Sequence, residues 1–160
     1  MQPEFVHTTA IVMHATAGIV AFISGSVLLF RIAHRGNERW FEAYQAGLVG
    51  LIVFMAAAMA THWLRLTAAR QLTYLGLSAL ALYMVFRGWS VRRAWQTRTS
   101  AWQSRFVDDI GFTLISLFNG FAIVTAIDLR APGWFVAIVA VGAVLSGIAV
   151  SQRIKRRVLA

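Results

Sequence analysis

The chain has 160 residues, 59% hydrophobic and only 13% charged, with a formal net charge of +9 and no cysteine. Soluble domains run at roughly 45–50% apolar and about 25% charged, so this composition excludes an ordinary soluble fold and points to one membrane domain over residues 1–160. The missing cysteines exclude a disulfide framework, a thiolate metal site and an iron–sulfur cluster.

The apolar runs predict an all-α integral membrane bundle of five transmembrane helices, over about 5–31, 41–64, 72–91, 107–129 and 134–150. Each is close to the roughly 20 residues needed to span a bilayer. No Lys or Arg precedes Arg31. With its apolar run too long for a signal-peptide core, the first segment reads as a retained span. Its residues His7, His14, Gly18, Ala21 and Gly25 fall at steps of seven, four, three and four, which places them on one helical stripe. The first connection is basic and holds the turn signal Gly36-Asn37. The second span carries Gly47, Gly50 and the run Ala56-Ala57-Ala58. The short link RLTAAR makes spans two and three antiparallel neighbours. The longer third connection, RRAWQTRTSAWQSRF, is suited to a short surface helix with Trp95 and Trp102 toward lipid. Arg130-Ala131-Pro132-Gly133 ends the fourth span, and SQRIKRRVLA reads as a basic tail.

With five spans, twelve basic residues fall on one side of the membrane and three (Arg65, Arg70, Arg130) on the other. The positive-inside rule then puts the N-terminus out and the C-terminus in, as a multi-pass protein of a bacterial inner membrane. Trp40, Trp63, Trp89 and Trp134 lie at predicted span ends, where an aromatic belt belongs. Topology and membrane lipids account for the basic residues better than nucleic acid does.

Ionisable groups inside spans are costly and need a reason. His7, His14, His62 and Asp128 approach the same outer face, with His14 about 10 Å deeper than His7. They could hold a divalent metal, or two imidazoles could bind haem b axially. Alternatively they form a proton relay, or simply sit in head groups and hydrogen-bond across a helix interface. At the inner face, Arg87 and the pair Asp108-Asp109 are placed for a structural ion pair, with the acids at a helix N-terminus. Gly18, Gly25, Gly47, Gly50, Gly142 and Ser146 are read as helix-packing positions.

The stretch His14-Ala15-Thr16-Ala17-Gly18, then Gly25, then His34-Arg35, resembles a family of uncharacterised small bacterial multi-spanning membrane proteins. In that family a helix reading H-x-x-A-G-x-x-A-x-x-x-G leads into a basic His-Arg loop. Tyr83 to Trp89 is similar to its Tyr-Leu-Val-x-Ser-Gly-Trp at the end of the third helix. The chain departs from that pattern at Glu38, where the family tends to have Gly, and at Arg87, where it has Ser. The resemblance covers residues 10–93 and implies a multi-spanning bundle of unknown function.

No nucleophile–base arrangement, phosphate loop or dinucleotide fingerprint is present in the sequence. The leading expectation is a non-enzymatic accessory or assembly subunit, or a homo-oligomer. The alternatives are a metal- or haem-binding membrane protein and a small ion or proton transporter or channel.

Overall fold

The computed structural model describes residues 3–31, 38–98, 102–128 and 132–159. Apolar runs of this length satisfy their backbone groups internally, as only a helix can within one segment. Five α-helices result: α1 (Pro3–Phe30), α2 (Glu38–His62), α3 (Ala68–Thr97), α4 (Trp102–Asp128) and α5 (Gly133–Leu159). A short 3-10 turn, Trp63–Arg65, follows α2. Among the described residues, the stretches Glu4–Phe30, Glu38–Thr61 and Ala137–Arg156 are long and apolar enough to cross a membrane.

Local chemistry fixes the joints. After α2, the Leu66 N–H donates to the Trp63 carbonyl at 3.3 Å, and Gln71 Nε2 donates to the same oxygen at 3.0 Å. α3 stops because Arg98 turns left-handed, at φ 49° and ψ 35°, with its N–H closing onto the Ala94 carbonyl. This is the single-residue helix stop that glycine more often supplies. Before α5, the Phe135 N–H donates to the Pro132 carbonyl at 2.9 Å.

α1 packs on α2 and α4, α2 packs on α3, and α3 packs on α4, so four helices close a ring. α5 stands outside it, against α4. The core is gathered at one end, where α1 finishes, α2 begins, α3 finishes and α4 begins. Leu28, Phe41, Tyr44, Leu48, Val91, Phe106 and Ile110 are all but fully buried there. Arg39, Arg92, Arg93, Arg98, Arg105 and Arg153 belong to helix segments at this same end, called the basic end below.

Two expectations need correction. The third connection does not form a separate surface helix: α3 continues to Thr97 and α4 begins at Trp102. Trp95 does not face lipid but is buried, with its ring 5.2 Å from that of Phe41. Trp102 meets Phe106 edge-on at 6.0 Å, and the Arg98 guanidinium lies over both indoles. The reason is that Val91 and Trp95, one helical turn apart, extend the apolar stripe of α3 into the core. The basic tail is also not a free tail, because α5 runs on to Leu159. Ile154 packs against the core cluster, and Lys155 pairs with Asp108.

Candidate functional site

The stripe on α1 faces α2 along its whole length. His7 Nδ1 lies 2.9 Å from the Thr61 hydroxyl and 3.2 Å from the Ala58 carbonyl oxygen. His14 Nδ1 lies 2.8 Å from the Leu51 carbonyl oxygen. Four residues further along α1, from Gly18, the steps continue with small residues, and the helices close up. A Cβ added at Gly47 would fall 2.7 Å from the Ala21 nitrogen and 2.9 Å from the Ala17 carbonyl oxygen. Gly18 receives Leu51, Gly50 meets the Ala17 methyl, and Gly25 lies under the Tyr44 ring and Leu114. In a bilayer, where apolar side chains gain little by leaving lipid, such close backbone approach is what holds helices together.

The four positions considered for metal or haem are therefore not equivalent. His7 and His14 both spend Nδ1 on the α1–α2 seam, at levels about 10 Å apart along the helix. The side chains of His62 and Asp128 lie outside the described residues. Among the described residues, no three His, Cys, Asp or Glu side chains gather as a metal site would require.

The polar groups converge instead at the basic end. Arg87 on α3 donates from Nε to Asp109 Oδ1 on α4 at 2.6 Å, and its Nη2 reaches the same oxygen. The guanidinium is flanked by the rings of Tyr83 and Phe112, at 5.6 and 4.8 Å. Both partners are largely shielded, at 24% and 14% side-chain exposure. Asp108, one residue earlier, points elsewhere: it binds Lys155 Nζ of α5 at 2.5 Å. Successive helical residues diverge by about 100°, so the acidic pair ties α4 to α3 with one carboxylate and to α5 with the other.

Deeper in the ring, Tyr44 and Gln45 on α2 complete the polar end. The Tyr44 hydroxyl and both amide atoms of Gln45 are buried with no hydrogen-bond partner among the described residues. Gly88 makes room for them: a Cβ there would sit 2.6 Å from Gln45 Nε2 and 3.2 Å from the Tyr44 ring. Thr113, fully buried, donates its hydroxyl to the Asp109 carbonyl at 3.0 Å. Sequence reading passed over Tyr44, Gln45, Thr113 and Lys155. The legible signal was a Tyr-Gln pair at the start of an apolar span, where a polar pair is expensive.

α5 carries the two remaining packing positions. It meets α4 where Ser151 lies over Gly111 and Ile115 is pressed against Gly147. Gly142 has nothing within 4 Å of its would-be Cβ, and Ser146 is exposed. On the α1 side of this ridge lies an apolar groove of about 430 Å³ that includes Gly142, Ser146, Phe22 and Phe118. On the α3 side lies a smaller polar cleft.

These features define an all-helical bundle with three candidate membrane-spanning helices and a polar cluster at its basic end. Comparison with protein-family models, with curated proteins and with solved structures finds no match to this chain.

Proposed function

We propose that the chain is a five-span protein of a bacterial inner membrane, N-terminus out and C-terminus in. On this reading it is a non-enzymatic subunit that assembles with a second copy through α5. The observation that carries it is the state of Gly142 and Ser146. A glycine inside a helix costs up to about 1 kcal/mol relative to alanine. Gly18, Gly25, Gly47 and Gly50 each offset that cost with a neighbour in the bundle, whereas Gly142, like Gly76 and Gly120, meets nothing within 4 Å, and of these three only Gly142 lies on the outer helix α5. With Ser146 one turn on, it forms a small-xxx-small face on a helix whose candidate span has no buried residue. Two such faces related by a two-fold axis complement each other, because each supplies the shallow surface the other needs.

Gly142→Leu and Ser146→Leu are each expected to shift the purified protein in detergent to a smaller species on gel filtration. No neighbouring side chain lies within 4 Å of a Cβ placed at Gly142, so the leucine enters the open groove, and an unchanged circular-dichroism spectrum would show that the shift reports the interface. An unchanged size would remove α5 from the assembly. Topology is checked separately, since the chain has no native thiol. Exposed Thr8, changed to Cys, should label from outside intact cells, and Gln152, changed to Cys, only after lysis. The opposite pattern would reverse the orientation.

A further inference from the structure

We propose that the polar cleft between α3, α4 and α5 at the basic end binds the phosphoethanolamine headgroup of a membrane phospholipid. The proposal rests on the membrane reading above. The cleft has a volume of about 360 Å³, and its polar wall is made by Arg87, Asp108, Ser151, Gln152 and Lys155. That volume sits at the small end of the roughly 300–1,000 Å³ of ligand sites, enough for a headgroup and too little for a large solute.

The wall carries both signs of charge, and this decides the ligand class. Asp108 and Lys155 are paired at 2.5 Å yet remain 48% and 27% exposed at their side chains. Asp109 takes up Nε and Nη2 of Arg87, which leaves the two N–H groups of Nη1 for another acceptor. Gln152 and Ser151 each add an amide or hydroxyl at the same wall. A lone anion would gain Arg87 and Lys155 but face the Asp108 carboxylate. A lone amine would gain Asp108 but face two cations. A molecule with a phosphate and a primary ammonium two carbons apart meets both at once. Its phosphate accepts from Arg87 and Lys155, and its ammonium donates to the Asp108 carboxylate and the Gln152 amide oxygen. A choline headgroup cannot make the second set, because its nitrogen carries methyl groups and no N–H. A phosphoglycerol headgroup has no cation to set against Asp108.

The floor of the cleft identifies the source of that headgroup. Phe112, beside the Arg87 guanidinium, and Ile115 and Ile148, farther along their helices from the basic end, make its apolar lining. An acyl chain continues onto such a floor, and a free solute has no group to place there.

The test is native mass spectrometry of the detergent-purified full chain. Phosphatidylethanolamine, phosphatidylcholine and phosphatidylglycerol with identical acyl chains are added in turn. The ethanolamine lipid should bind about tenfold more tightly than either other lipid, the ratio expected for one charge-assisted hydrogen bond. Asp108→Asn and Gln152→Ala should each erode that preference, and Gln152→Ala does so without touching an ion pair. Equal binding of the three lipids, or a preference that survives both substitutions, would overturn the site as mere annular lipid. Displacement of the lipid by equimolar free phosphoethanolamine would overturn the lipid source. Thiol labelling at position 8, on α1 and outside the cleft, reports the membrane orientation independently, so failure here and failure of the topology are told apart.

Discussion

Gly47→Val is expected to destabilise the bundle by about 3 kcal/mol or more, at or above the upper end of ordinary overpacking. The reason is what the new side chain would strike. The Cβ position lies 2.7 Å from the Ala21 nitrogen and 3.0 Å from its Cα, and 2.9 Å from the Ala17 carbonyl oxygen. These are backbone atoms of a neighbouring helix, which cannot rotate away as a side chain can. The helices must separate, and that strains the His14 contact to Leu51, one turn on along α2.

The other glycines grade the effect. A Cβ at Gly50 meets the Ala17 methyl at 3.2 Å, so Gly50→Ala should cost less. At Gly88 the nearest atom is the mobile end of Gln45, which places Gly88→Ala between them. Gly76 has nothing within 4 Å, and Gly76→Ala should be neutral or stabilise by up to about 1 kcal/mol through helix propensity. Unfolding in mixed micelles titrated with a denaturing detergent measures the series. Equal losses at Gly47 and Gly76 would refute the close-approach account of the seam.

The same contacts explain what the sequence could disclose. Runs of apolar residues are a one-dimensional signal, and they suffice for an all-helical bundle. The spacing of His7, His14, Gly18, Ala21 and Gly25 gave one stripe, and that stripe proves to be the α1–α2 seam. Which helix it would meet was not legible, because small residues fit against any apolar partner. The full lengths of α3 and α5 are not legible for a related reason. Arg92, Arg93, Lys155 and Arg156 look like the polar edge of a span in sequence. In the fold their apolar neighbours Val91, Trp95 and Ile154 reach the core and carry the helix onward. The site at the basic end was half legible. Arg87 and the acidic pair stood out as charges within spans, but only helix rotation decides which carboxylate meets the guanidinium. Lys155 became a partner only because α5 lies along α4.

That division of labour between the two carboxylates sets the second large effect. Asp109→Ala leaves the Arg87 guanidinium shielded and without its counterion. Breaking one side of a buried pair costs about 3–5 kcal/mol. The lower end applies here, since Arg87 keeps 24% exposure and retains the Tyr83 and Phe112 rings. Arg87→Leu strands the carboxylate instead, among the buried Thr113, Tyr44 and Ile110 of the same end. Removing both groups, as Arg87→Leu with Asp109→Leu, removes the desolvated charges together and should recover most of the loss. A double-mutant cycle closed with the single variants Arg87→Leu and Asp109→Leu is expected to return a coupling of about 3 kcal/mol or more, at the upper end for groups in direct contact. Lys155→Ala supplies the contrast. Its partner Asp108 is 48% exposed, so water screens the pair and the cost should stay below about 1 kcal/mol. If the Arg87 and Asp109 losses simply add, the two groups do not act as a pair. α3 and α4 would then be joined by the aromatic packing of Tyr83 on Phe112, whose rings stand edge to face at 5.6 Å.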